Sequence, residues 1–438
     1  MDFSNQIRNE FGKCDHPANT LARIKQGFEK LGLDIEYHEV KVSDTLYWGR
    51  IWNDSIRIIC EGKGVSPELA AASAHAELAE RFSGGLFYPV FEEEVRFNVP
   101  ALYGPETQSF LNFEWLPGYV RAHQDELAQA LSIEELLTRE TQLTGQDIES
   151  IKGSHMCSHW VEGTSLLKGE PVKVPISFAA YIHGSNGMAA GNTLGEALIQ
   201  ASCEIVERHA LIQTIGPENA APSIDPRTVD SHLAREMIEF YAASNVTVTL
   251  KDLSMGGLLP VVGVLYTNHN LPRDRMEHRV LIAGASFDLD EGLTRCFTEG
   301  VQGKTSLTKP RPQLDRPVVD RSKVDNLYLI LRCGVSPKDI SFLEQGPSVP
   351  FQPRQHRDIE SEIEALKALC QELGTDCIVV DHTHPILKFP VVRVIIPGIS
   401  DFLPFVGGNI LVNDQTRPES TWKGQEFLPV MQSFFPQK

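Results

Sequence analysis

Apolar positions along this chain alternate between two rhythms. Over residues 18–31, Leu21, Ile24, Phe28 and Leu31 recur at helical spacing, and Gly32 stops the run. Three strands are expected next, over 34–41, 46–52 and 55–61, and Pro67 then opens a helix that runs to Phe82. Residues 85–150 are less regular; they hold several prolines and an acidic helical stretch, Asp125 to Thr144. Val172 to Ala180 has strand character and feeds a glycine-punctuated loop, Gly184 to Gly191, that runs into a long amphipathic helix. The pattern then predicts a helix over 227–243, strands over 246–253, 259–266 and 278–285, and a helix over 291–305. Residues 307–355 are Pro-rich and connective, with one helical piece near 323–332. A helix over 357–373, strands over 376–381 and 390–396 and an irregular tail close the chain.

The long helix changes what the rhythm means. Thr193 is placed to cap it, and Glu196 three residues later completes a capping box. Glu196, Glu204 and Glu207 fall within about 80° of one another around the helix, a stripe of like charge that costs a few tenths of a kcal/mol per close pair. No matching lysine stripe answers it. The motif also occurs twice: Gly64, Ser66, Ala70, Glu77, Glu80 and Arg81 superpose without gaps on Gly191, Thr193, Ala197, Glu204, Glu207 and Arg208. Ser73 lies one turn before Glu77, and a third, worn copy spans Ser286 to Gly303, with Arg295, Glu299 and Gln302 one turn apart. A duplicated surface helix with Glu–Arg pairs would contribute little, and the alanines at 70, 71, 72, 74, 76 and 79 indicate tight packing instead. Carboxylates converging from two or three helices are tolerable around several divalent cations. Mg2+ prefers oxygen ligands and shares them with phosphates, which makes Mg-nucleotide the natural occupant.

Composition narrows the classes. With 58 acidic against 40 basic residues the formal charge is −18, which disfavours a nucleic-acid or anionic-membrane surface. No run of eighteen apolar residues occurs, and Met1 to Lys13 is polar and charged, so a cytoplasmic protein without a signal peptide is expected. The eight cysteines form no Cys-x-x-Cys pair and read as reduced thiols; Cys203 and Cys296 are read as packing residues. Cys14 and the His-flanked Cys157 are the candidates for carrying sulfur. P-loop, Gly-x-Gly-x-x-Gly, His-Glu-x-x-His and Gly-x-Ser-x-Gly motifs are all absent.

These motifs resemble the YcaO family of ATP-dependent amide-activating enzymes. Gly62-Lys63-Gly64 with Ser73 to Arg81, Asn186 to Arg208, and Arg295, Glu299 and Gln302 carry the resemblance, and Gly12-Lys13 with Thr20 is similar to the ribosomal-protein methylthiolation accessory branch. The resemblance implies an α+β fold of repeated strand-helix units around a central Mg-ATP site. It divides the chain into an N-terminal segment, 1–62, that contributes to nucleotide binding, a core over 63–400 with a variable, substrate-facing insertion at 85–150, and a tail over 401–438. Glu77, Glu80, Glu196, Glu204, Glu207 and Glu299 would hold Mg2+; Lys13, Thr20, Ser73, Arg208 and Arg295 would contact ATP, with Gln302 nearby. Lys63 serves phosphate or shapes its glycine turn. Arg208, Arg295 and Gln302 are the candidate catalytic residues.

The implied reaction is O-phosphorylation of an amide or related carbonyl after attack by a substrate Cys, Ser or Thr, a sulfide or an amine. The chain's last residues, Phe434 to Lys438, lack the proline-rich tail of azoline-forming members, which favours sulfur insertion. Thiolation of a small heterocycle and a non-catalytic ATP-binding accessory role stand as alternatives. A peptide, protein or small-molecule amide substrate, a sulfur donor or partner protein, and a homodimer are the expected partners.

Overall fold

The computed structural model describes residues 6–10, 12–53, 58–84, 113–137, 145–214, 220–273, 278–301, 341–353 and 358–400. The expected helical piece at 323–332, Gln302 and the tail lie outside them.

Helix α1 (Pro17–Lys30) starts where His16 Nδ1 accepts from Ala18 N and Pro17 sets the first turn. Strands β1 (Glu36–Lys41), β2 (Tyr47–Asn53) and β3 (Ile58–Gly64) form an antiparallel three-stranded sheet, and helix α2 (Pro67–Ser83) follows it. This sheet runs through residue 62, so the N-terminal segment and the core share it.

A second sheet joins β4 (Val120–Arg121), β5 (His159–Ser165), β13 (Ile378–Asp381), β14 (Val391–Ile395) and β7 (Met188–Ala190), with β6 (Pro171–Pro175) paired to β5. The third runs β11 (Arg279–Ala285), β10 (Val261–Asn268), β9 (Val246–Asp252), β8 (Ser223–Ile224), β12 (Ser348–Val349). Helix α3 (Ile176–His183) precedes the glycine loop, and α4 (Leu194–Thr214) lies between the second and third sheets. The remaining long helices are α5 (His232–Ala243), α6 (Leu289–Glu299) and α7 (Ile359–Glu372). Ala197, Leu198, Ala201 and Ile205 of α4 share one buried core with Leu281 and Ala283 of β11, Val392 and Val394 of β14, and Ile363 and Leu366 of α7. Placed this way, α4 holds its carboxylates in a fixed frame.

Four sequence expectations are corrected. The acidic stretch at 125–144 is not one helix: Gln129 takes a left-handed backbone (φ +52°), its carbonyl accepts from Lys173 N, and a short helix, Ile133–Leu136, follows among the described residues. Val172 to Ala180 is strand only as far as Pro175, after which α3 begins. Its described side chains are buried all round and mostly apolar, and a buried helix cannot be told from a buried strand by periodicity. Helix α5 begins at His232, because Ser231 caps it and Pro226–Thr228 is a separate 3-10 turn. Helix α6 begins at Leu289, capped by Asp288, and ends at Glu299.

Candidate active site

The internal repeat is present in three dimensions. Ser66 Oγ accepts from Leu69 N, Thr193 Oγ1 from Glu196 N and Asp288 Oδ1 from Asp290 N, so each helix is capped at its start. Glu77, Glu204 and Glu299 each stand eleven residues beyond their cap. The worn third copy, Ser286 to Gly303, keeps this register: Ser286 stands where the other copies have Gly64 and Gly191, Asp288 is the cap, and Arg295 takes the position of Ser73. A Cβ at Gly64 would lie 2.8 Å from Ala70 N, and one at Gly191 would lie 2.5 Å from Ala197 N. The aligned residues make the same close approach of strand to helix, one that only glycine permits.

Helices α2, α4 and α6 bring Glu77, Glu80, Glu204, Glu207 and Glu299 into one electrostatic neighbourhood with Lys63, Arg81 and Arg208. Lys63 Nζ donates to Glu299 at 2.7 Å, joining β3 to α6. Glu77 accepts from Glu61 N (2.9 Å) and from Arg81 (3.1 Å), and Arg81 also pairs with Glu80 at 2.9 Å. Arg208 Nε stands 3.7 Å from Glu207. The carboxylates outnumber the cations, and their proton affinity shows it. Burial pushes Glu80 up to about 8; Arg81 opposes the shift, while Glu204 and Glu77 add to it. Burial likewise raises Glu207 to about 7 against Arg208, with Glu299 and Glu204 adding to it, and it raises Glu204 as well. Burial first, and the neighbouring carboxylates after it, favour the protonated form of these groups, and a bound cation would reverse that preference.

Among the described residues, no three acidic, histidine or cysteine side chains already surround one metal position. The donor set still fits Mg2+: it is all-oxygen, contributed by separate helices, and its charge excess is what a hard divalent cation relieves. Glu77, Glu80, Glu204, Glu207 and Glu299 are the residues that would hold it.

Other expected site residues sit differently. Glu196, two turns before Glu204, is buried and accepts from Cys14 N (2.9 Å) and Asn192 Nδ2 (3.2 Å). The capping box is thus half made: the Thr193 cap forms, and the Glu196 carboxylate faces the N-terminal segment. Thr20 is buried and donates to Asn192 Oδ1 at 2.7 Å, which ties α1 to the glycine loop. Ser73 is half-buried one turn before Glu77. Lys13 reaches Glu291 at 4.0 Å, and Arg295 pairs with Glu291 at 3.0 Å. Although burial works against its ionisation, Arg295, Lys13 and Arg8 hold the Glu291 carboxyl at about 2. Glu291 and Arg8 are not singled out from the sequence: Arg8 lies outside the repeat, and Glu291 aligns with Glu196 but with Leu69 in the first copy. Cys203 and Cys296 are buried as packing residues. Burial raises the Cys14 thiol to about 11, helped by Glu196, and the Cys157 thiol to about 12. Neither is poised as a thiolate.

Residues 61–400 match the family described as YcaO cyclodehydratase, ATP- and Mg2+-binding. The chain belongs to the YcaO family. ATP and Mg2+ are accordingly its cofactors. The chain is 25% identical, over 96% of its length and 72% of the relative's, to the ribosomal protein S12 methylthiotransferase accessory factor YcaO of Escherichia coli K12. Its fold is that of YcaO from Methanopyrus kandleri, solved with AMPPCP and Mg2+, at a TM-score of 0.59 and 19% identity over 90% of this chain and 95% of that one. A heterocyclase solved with substrate and cofactor matches at 0.66 and 19% identity over 91% of this chain; the match spans only 54% of the heterocyclase. The α+β architecture of strand-helix units is therefore that of YcaO proteins. No helix among the described residues is long and apolar enough to cross a membrane.

Proposed function

We propose that this chain uses ATP and Mg2+ to activate an amide or related carbonyl by O-phosphorylation, with sulfur insertion of the thioamide type as the accompanying step. One observation carries the reading: three capped helices bring five glutamates together, and those glutamates are short of positive charge. When bound, ATP with Mg2+ supplies a phosphoryl group to the carbonyl oxygen, so that this oxygen leaves as phosphate.

The chain's own residues bind and orient. Glu77, Glu80, Glu204, Glu207 and Glu299 would hold the cations. Arg208 and Arg295 would contact phosphate oxygens from α4 and α6, and Lys63 would stay with Glu299 or turn to phosphate. Positioning and electrostatics are the means of catalysis here. Sulfur is placed first because the relative matched over 96% of this chain serves a methylthiotransferase, an enzyme of sulfur addition. With Cys14 and Cys157 held as thiols, the sulfur arrives as free sulfide or from a partner protein.

The test is ADP release from the full chain with Mg-ATP, sulfide and candidate amide peptides, followed by mass spectrometry of the peptide. Exchange of one oxygen for sulfur supports the proposal, whereas loss of water would replace sulfur insertion by azoline formation. The same E. coli relative favours a second reading, an ATP-binding accessory factor for another modifying enzyme. Nucleotide binding without substrate-stimulated ADP release, restored only by a partner, would select it.

A further inference from the structure

The segment before α1 crosses the starts of α4, α6 and α7. The Gln6 carbonyl accepts from Ile359 N at 3.0 Å, Ile7 bridges Asp358, and the Gln6 side-chain oxygen accepts from Thr193 Oγ1 at 2.6 Å. Arg8 then turns inward. Its Nε and Nη2 donate to one oxygen of Glu362 at 2.9 and 2.6 Å, and its Nη1 donates to the Gly12 carbonyl. Glu362, on α7, has a fully buried side chain, and that of Arg8 is 9% exposed. A pair at this depth loses its hydration, and only good geometry and further hydrogen bonds offset the loss. A loose surface strap would not need one.

What the pair holds is a turn. Gly12 N donates to Asn9 O at 2.9 Å, Asn9 N to Lys13 O at 2.8 Å, and Lys13 N to Asn9 Oδ1 at 3.1 Å. Gly12 takes the left-handed conformation (φ +68°) beside the Glu291 carboxylate. The next residue, Lys13, reaches Glu291 at 4.0 Å, and Glu291 pairs with Arg295 at 3.0 Å. Cys14 N donates to Glu196 at 2.9 Å. A lysine a third exposed, whose one carboxylate partner stands 4.0 Å away, is not positioned by that pair. Its place follows from its backbone, which Asn9 closes into a turn and Arg8 holds at the Gly12 carbonyl.

We propose that Arg8, anchored on Glu362, is a positioning residue for the nucleotide site: it fixes the Gly12–Lys13 turn and so sets Lys13 against Glu291 and Arg295. This rests on the reading of Lys13 as a nucleotide contact. The alternative is that Arg8 only adds stability to the N-terminal segment.

A double-mutant cycle on the full chain separates the two, with Mg-ATP affinity measured by calorimetry on Arg8→Met, Lys13→Ala and the double variant. Each single change weakens binding about tenfold, and the double variant is also about tenfold weaker, because both remove the same contact. In steady-state ADP release the loss falls on KM for ATP rather than on kcat. If Arg8→Met does not fold, Glu362→Gln, which keeps the shape and an acceptor but removes the anchoring charge, takes its place in the same cycle. Weaker binding in Lys13→Ala with unchanged affinity in Arg8→Met would overturn the role of Arg8 alone. A double variant about one hundredfold weaker would also overturn it, by showing independent contributions. Unchanged affinity in Lys13→Ala would overturn the reading of Lys13 and the inference together.

Discussion

The two gapless copies of the motif differ in how each uses its arginine. In α2, Arg81 bridges Glu77 and Glu80 of its own helix at 3.1 and 2.9 Å, and Glu77 is further held by Glu61 N. In α4, Arg208 stands 3.7 Å from Glu207. The packing of the repeat is shared between the copies: the caps and glycines coincide, as do Ala70 with Ala197 and Ala74 with Ala201. The chemistry has diverged. One arginine bridges two carboxylates of its own helix at hydrogen-bond distance, and the other stands farther from its neighbouring glutamate.

That comparison breaks most readily at the arginines. Arg208→Ala should weaken Mg-ATP binding by about one hundredfold, the scale of a lost charge-assisted contact, as measured by calorimetry. Gly64→Ala and Gly191→Ala should each destabilise the fold by about 2 kcal/mol in urea unfolding, since both added methyl groups meet helix backbone. Unequal losses would show that the copies do not pack alike.

The carboxylate excess predicts a pH dependence of the nucleotide-free protein. The folded values for Glu80, about 8, and Glu207, about 7, lie above the ordinary 4.5. Between these limits the native state binds more protons than the unfolded chain, so stability falls as pH rises from about 4.5 to 8. After allowance for solvent screening the loss is about 2 kcal/mol, and urea unfolding across pH, with and without Mg-ATP, should show it flattened by the ligand. Arg81→Ala is expected to have the smallest effect on binding, less than about tenfold, with its main consequence in stability.

The repeat was legible from sequence because its parts are local: a cap, a glycine and two glutamates on one helix face. The cap of the third copy was harder to read, because Asp288 stands where the other two copies carry a hydroxyl residue. The partners of Arg8 and Lys63 lie 354 and 236 residues away, and no periodicity links such positions. Glu196 shares a stripe with Glu204, yet the stripe does not reveal that the N-terminal segment occupies its carboxylate. Val172 to Ala180 misled for a different reason, because a run so largely apolar erases the signal that separates strand from helix.

The central claim is that the converging glutamates receive Mg-ATP, and Glu204, flanked by Glu77 and Glu299, tests it most directly. Calorimetric titration of Glu204→Gln with Mg-ATP should give no binding heat over the range in which the unaltered chain saturates, with circular dichroism unchanged. Full affinity in that variant would contradict the account.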